Sequence, residues 1–301
     1  MSCDDRENQV LQLAGGGRVG LAVYGAQNGL PVLALHGTPA SRFMFKVADE
    51  AAFKLGLTLY CPERPGYGLS GPVQDWRAPN GLSLAVDDLV QVVDKLGFKR
   101  FIVLGVSGGA PFAVSLACRL GARVRVLGLV SPMGPIADLP DNVASRISKF
   151  HRLLFETSVR WPLLLRGAGF VGGWTFRMAP KLFVKFFAWT LGRTDREVLS
   201  QAFAKYGMVL MTGEAVRQGL SGALADLFVF SKPWHVDFNA LQACSVLWMG
   251  GDDRLVPVEA SRWLGAQLPG CEVISFKGAG HFWIFDKIED VLSRVARLAQ
   301  E

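Results

Sequence analysis

Cysteine is scarce and scattered in this chain: Cys3, Cys61, Cys118, Cys244 and Cys271 form an odd set of five with no C-x-x-C pair. That spacing argues against a disulfide framework or a thiolate zinc site and reads as a reduced, cytoplasmic pattern. Histidine is scarcer still, four in 301 residues, so a histidine-rich metal centre is not expected. No uncharged apolar run reaches the roughly 18 residues that a membrane-spanning helix needs. The segment Met1–Gln9 is charged and has no apolar h-region, so it reads as a disordered end and not as a secretory leader.

What the chain has instead is apolar bulk. Half of its residues are hydrophobic, and 301 residues fit one large domain or a core with a smaller inserted unit. The net charge of +6 is uneven: residues 141–237 carry 13 Lys and Arg against 7 Asp and Glu, while the remainder holds 19 of each sign. A stretch of this kind is either a solvated basic face or a surface attracted to anionic substrates or lipid.

Phe101-Ile102-Val103-Leu104 is a short apolar run closed by Gly105, the pattern of a buried strand. Beyond Ser107 the period changes. Phe112, Ala113, Leu116, Ala117 and Leu120 recur at helical spacing, Pro111 falls in the first turn, and Gly121 supplies a stop. A chain that passes from strand to helix at one residue needs a strained backbone there and small neighbours; Gly105, Gly108 and Gly109 surround Ser107.

Gln9–Leu13 and Arg18–Tyr24 predict an opening hairpin, and Leu84–Leu96 an amphipathic helix. Strands alternate with helices as far as Val124–Val130, which predicts an α/β fold with a mostly parallel sheet flanked by helices. From about 135 to 239 the alternation stops and the texture turns helical, with Trp161, Trp174, Trp189 and Trp234 among its bulky residues. Ser245–Met249 and Glu272–Phe276 resume the sheet, and a helix from Ile288 to Ala299 closes it.

Gly105-Val106-Ser107-Gly108-Gly109, in this strand–turn–helix setting, resembles the nucleophile elbow of the α/β-hydrolases. Three more loops are similar to that superfamily: His36-Gly37-Thr38-Pro39 after the strand Val32–Leu35, Gly250 to Pro257, and Gly278-Ala279-Gly280-His281. Arg64 to Ser70 resembles a loop whose role there is mainly structural. The resemblance implies an α/β-hydrolase core over 1–134 and 240–301, with a helical cap inserted over 135–239. It implies Ser107 as nucleophile, His281 as base and Asp253 as acid; matching Gly250 and Val256-Pro257 selects Asp253 over Asp252. The backbone N–H groups of Thr38 and Gly108 become the implied oxyanion donors, with the Thr38 hydroxyl as a further candidate. His36, Phe155, Phe170, Trp174 and Phe282 are the implied pocket residues. No metal and no nucleotide or redox cofactor is implied.

A serine hydroxyl stays protonated at neutral pH and needs a base of histidine's affinity within reach to become a nucleophile. The expected activity is hydrolysis of a carboxylic ester of a hydrophobic small molecule through an acyl-enzyme on Ser107. Lactone, amide or carbon–carbon bond hydrolysis on the same three residues is the alternative. Haloalkane dehalogenases and epoxide hydrolases of this superfamily use Asp at the elbow, where this chain has Ser107. Nucleic acid is not an expected partner. Weak contact with a lipid surface through the basic cap is an alternative to a wet basic face, since 146–193 holds nine basic residues against one acidic and interleaves them with aromatics. A non-catalytic binding protein is the remaining alternative.

Overall fold

A strand with parallel neighbours and helices on both faces has nowhere to put a polar side chain. Phe101–Val106 (β5) meets that condition and is buried throughout. It pairs with Leu30–Leu35 (β3) on one side and Val124–Val130 (β6) on the other, Leu104 lying opposite Ala34 and Gly128. Gln9–Gln12 (β1), Arg18–Gly25 (β2), Leu57–Pro62 (β4), Cys244–Gly250 (β7) and Glu272–Phe276 (β8) complete the sheet. The strand order is β1-β2-β4-β3-β5-β6-β7-β8. The β1–β2 and β2–β4 pairs are antiparallel, as the opening hairpin requires, and the other pairs are parallel. This computed structural model describes residues 3–301 apart from positions 76, 180, 181, 183, 184, 186, 188 and 190; it leaves out the side chains at 3, 4, 162, 165, 166, 168–170, 172, 177, 202, 203 and 205.

The short helix Cys3–Glu7 (α1) stands where a disordered end was expected. The cause is Arg42, whose buried guanidinium donates to the Glu7 carbonyl (2.6 Å) and to Asn8 Oδ1 (2.5 Å) and so ties that end down. One face of the sheet carries Asp49–Lys54 (α2). The other carries Gly81–Lys95 (α3) and Ala110–Leu120 (α4). The apolar stripe of α3 begins at Leu82, not at Leu84, and continues through Val86, Leu89 and Val93.

Between β6 and β7 the described residues form helices and no strand: Asp141–Ala144 (α5), Lys149–Arg160 (α6), Pro162–Met178 (α7), Arg193–Ser200 (α8), Ala202–Ala215 (α9) and Ser221–Phe230 (α10). After β7 come Val258–Gln267 (α11), on the face of α3 and α4, and Ile284–Leu298 (α12), on the face of α2. A kink at Lys287 (φ −130°) lets α12 start before the expected Ile288.

The helical insertion is not a separate body. Phe155, Val229, Phe230 and Trp234 join the apolar cluster of α3 and α4. Buried charges fasten it further. Asp226 on α10 takes Arg64 in a bidentate pair (Nε–Oδ1 3.1 Å, Nη2–Oδ2 2.6 Å) and also accepts the Tyr67 hydroxyl (2.6 Å). Glu214 on α9 shares Arg42 Nη1 with Glu63 (2.6 and 2.9 Å). Gln218 donates to the carbonyls of Gly68 (2.9 Å) and Ser70 (2.7 Å), so the Arg64–Ser70 loop is held from above.

Removing one partner of a buried ion pair leaves the other charge uncompensated, at a cost of about 3–5 kcal/mol. Asp226→Ala therefore lowers the unfolding free energy in urea by about that amount. Glu50→Ala, which breaks an exposed pair with Lys54, leaves the urea midpoint within error of the parent. Equal midpoints for all three proteins would show that Arg64 finds water or another acid.

Candidate active site

The parallel strands end at one edge of the sheet, the usual place for a site in an α/β fold. Four loops leave that edge. The first leaves β5 at Ser107, a non-glycine residue with φ at 52°, in the left-handed region that L side chains rarely adopt. A single turn of 3₁₀ helix, Ser107–Gly109, then runs into α4. The Met133 N–H donates to the Ser107 carbonyl at 3.0 Å and fixes the bend from the β6 side. Gly108 is glycine of necessity, since a Cβ there would fall on the Thr38 hydroxyl and the Phe230 ring.

The loops after β7 and β8 bring the second and third groups together. His281 Nδ1–H donates to Asp253 Oδ2 over 2.6 Å, and both residues are buried. The other carboxylate oxygen, Oδ1, accepts the N–H groups of Leu255 (2.8 Å) and Val256 (3.1 Å), which aims Oδ2 at the imidazole. Asp252 is exposed, and Asp253 is the carboxylate that meets the histidine. Burial pulls the His281 imidazole towards its neutral form. The Asp253 charge, the hydrogen bond to it and the charge of Asp195 outweigh burial and raise its pKa above the ordinary 6.5.

Asp195 was invisible in the sequence. It sits in the first turn of α8, where an acid usually just faces the helix dipole. Here it is 1% exposed. Its Oδ1 accepts the backbone N–H of Phe282 at 2.8 Å, and the carboxylate lies against Gly280, where a Cβ would collide with it. The core holds the opposite side of the same loop: Ser131 Oγ donates to the His281 carbonyl (3.4 Å) while accepting Trp283 Nε1 (2.9 Å). The His281 loop is thus clamped through the backbone on both sides, once by the core and once by the insertion.

The loop after β3 differs from expectation in two respects. The Thr38 hydroxyl is not an available donor: its proton goes to Asp226 Oδ2 (2.5 Å), and its oxygen accepts Arg64 Nη2 (3.1 Å). His36, expected in the pocket, is a buried loop residue whose two ring nitrogens are taken by the backbone. Its Nδ1–H donates to the Gly37 carbonyl (2.8 Å), its Nε2 accepts the Arg64 N–H (3.3 Å), and its ring packs edge-on against Tyr67. Burial, then the Arg64 charge, hold its pKa well below the ordinary 6.5, so it stays neutral.

The other expected pocket residues divide. Phe282 stacks edge-on beside His281, ring centroids 5.3 Å apart, and joins Phe176, Leu191, Leu199, Met208 and Met211 in an apolar cluster. Phe155 is buried against His151, whose Nε2 reaches the Leu255 carbonyl (3.1 Å), so it packs the insertion onto the Asp253 loop. Trp174 is 60% exposed, because Gly173 and Phe176 take the buried side of α7. The side chain of Phe170 lies outside the described residues. A cavity of about 310 Å³ borders Arg64 and Asp226 but includes none of Thr38, Ser107, Asp253 or His281.

Among curated proteins, the 2-hydroxymuconate semialdehyde hydrolase of Pseudomonas putida is 25% identical over 297 residues, 96% of this chain and 91% of the relative. Haloalkane dehalogenase 2 of Mycobacterium tuberculosis is 31% identical over 109 residues, 33% of this chain and 35% of that one. Among solved structures, an esterase from Exiguobacterium antarcticum superposes with a TM-score of 0.73 at 17% identity, covering 98% of this chain and 100% of the esterase. Residues 32–295 match the family described as the alpha/beta hydrolase family, and the chain belongs to it.

Proposed function

We propose that this hydrolase cleaves a carboxylic ester of a hydrophobic small molecule through an acyl-enzyme on Ser107. The observation that carries the reading is the 2.6 Å bond from His281 to Asp253, at the sheet edge where Ser107 turns out of β5. His281 Nε2 takes the Ser107 proton as Oγ attacks the carbonyl carbon, and returns it to the leaving alkoxide. A water deprotonated by the same nitrogen then releases the acid. The N–H groups of Thr38 and Gly108 receive the tetrahedral oxyanion, where one such donor contributes about 3–4 kcal/mol. The start of α4 adds its partial positive charge. Asp253 holds the imidazole tautomer and stabilises the imidazolium. The helical insertion is the cap, and the Phe282 cluster gives the acyl or alkyl group an apolar wall. The esterase neighbour supports the same chemistry at the level of fold.

A second reading is carbon–carbon bond hydrolysis by the same residues. It is favoured by the Pseudomonas putida relative, which matches nearly the whole chain and is named for a substrate that contains no ester. Dehalogenation is disfavoured, since Ser107 stands where that chemistry needs a carboxylate. A panel of p-nitrophenyl esters of rising chain length, run beside ring-fission diketones, separates the first two readings. Faster turnover of the diketones would reverse their order.

Ser107→Ala is expected to lose about four to six orders of magnitude in ester turnover. Retention of most of the activity would remove the acyl-enzyme. The pH dependence follows from the environment of His281. The base works only when neutral, and its pKa is raised, so kcat/KM falls with acidification along a limb centred above pH 6.5. Asp195→Asn keeps an acceptor for the Phe282 N–H but removes the charge. The imidazolium then loses one stabilising anion, and the limb moves to lower pH. Asp195→Ala also frees the loop and lowers kcat by about tenfold, as one lost buried hydrogen bond does. A limb at the same pH in the Asn variant would mean that the Asp195 charge is not felt at the base.

A further inference from the structure

Helix α7 carries a row of bulky apolar residues on its outer side as well as the buried Phe176 on its inner one. Its steps of three and four residues place Leu164, Gly167, Val171, Trp174 and Met178 on one face. That face is the outer one: Leu164 and Met178 are each 67% exposed, and Val171 and Trp174 each 60%. Leu182 and Trp189, a little further along, are equally exposed. Isolated apolar residues on a surface are ordinary, whereas a row of this length marks an interaction site.

The stretch 146–193, which contains α7, is predominantly basic. Arg146, Lys149, Arg152, Arg160 and Lys185 are exposed. Between 146 and 193 there are nine basic residues, and Glu156 is the one acid.

We propose that this face docks on the surface of an anionic lipid bilayer, with the α7 stripe in the headgroup–acyl boundary and the basic residues on the headgroups. The charge decides the partner. A two-fold contact between copies of the chain would set the same patch against itself, bringing like charges together around the apolar row. An anionic bilayer offers the opposite charge and an apolar layer at once. With 17 residues α7 is about 25 Å long. No described helix is long and apolar enough to cross a membrane, so this one lies in the plane of the interface. The docking surface is independent of the acyl chemistry, because it contains none of the residues assigned to it.

The test is flotation of the full-length protein with vesicles of mixed phosphatidylglycerol and phosphatidylcholine, and with vesicles of phosphatidylcholine alone. At low salt, partition onto the anionic vesicles is expected to exceed that onto the neutral ones by about tenfold, and to fall at high salt as the charges are screened. The double variant Val171→Glu/Met178→Glu and the pair Lys149→Glu/Lys185→Glu each lose that partition, while both retain the parental melting temperature and ester turnover. Ser107→Ala floats like the parent, which separates the surface from the active site. No flotation on anionic vesicles at low salt overturns the proposal, as does unchanged binding by both double variants. A dimer in sedimentation velocity that Val171→Glu/Met178→Glu dissociates, without flotation, assigns the stripe to a second copy and equally overturns it.

Discussion

One buried carboxylate fastens the helical insertion to two loops of the core. Asp226 projects from the helical insertion and accepts from Arg64, Tyr67 and Thr38, three donors supplied by two loops of the core. Buried polar groups must be paired or they cost free energy, and without it Arg64 Nε and the Tyr67 and Thr38 hydroxyls would each lose an acceptor. The arrangement propagates. Arg64, once held, donates to the carbonyls of His36 and Gly37 and fixes the loop after β3. That loop sets the Thr38 side chain against Gly108, and through it the insertion braces the elbow. The shape of the Ser107 turn is therefore shared between a strained residue in the core and a charge pair reaching down from α10.

The two histidines at the sheet edge illustrate how environment, and not residue type, assigns a role. Both are buried. His36 faces the Arg64 guanidinium and spends both ring nitrogens on the backbone, so it remains a neutral spacer. His281 faces two carboxylates and donates Nδ1–H to one of them, which outweighs its burial and raises its pKa. An imidazole beside a cation is a poor base, and one beside anions is a good one.

The inner strands were legible because buried parallel strands are continuous apolar runs, and the boundaries of β6 came out where its run begins and ends. The pairing of Asp253 with His281 was legible because Gly250 and Val256-Pro257 bracket the acid from both sides. The insertion was opaque for a different reason. Helical periodicity tells which residues share a face, but not whether that face is turned in or out. On α7 the bulky stripe reads as core and is solvent-facing, which moved Trp174 from the expected pocket to the surface. Asp195 and Asp226 were two acids in a basic region, visible only as charge. Their importance arises from which loops they meet across 87 and 188 residues of chain, and no local pattern encodes that.

The contact between Asp195 and the loop of His281 ties the helical insertion to the residue paired with Asp253. In a hydrolase whose lid merely shapes the pocket, lids can be exchanged between relatives to retune specificity while the chemistry stays intact. Here the insertion also supplies an anion and a hydrogen-bond acceptor to the loop that carries His281. Grafting a foreign insertion onto this core would alter basicity along with shape. Conversely, grafting this insertion elsewhere would place a buried acid over any residue standing where Gly280 does, and the recipient would need a glycine there to receive it.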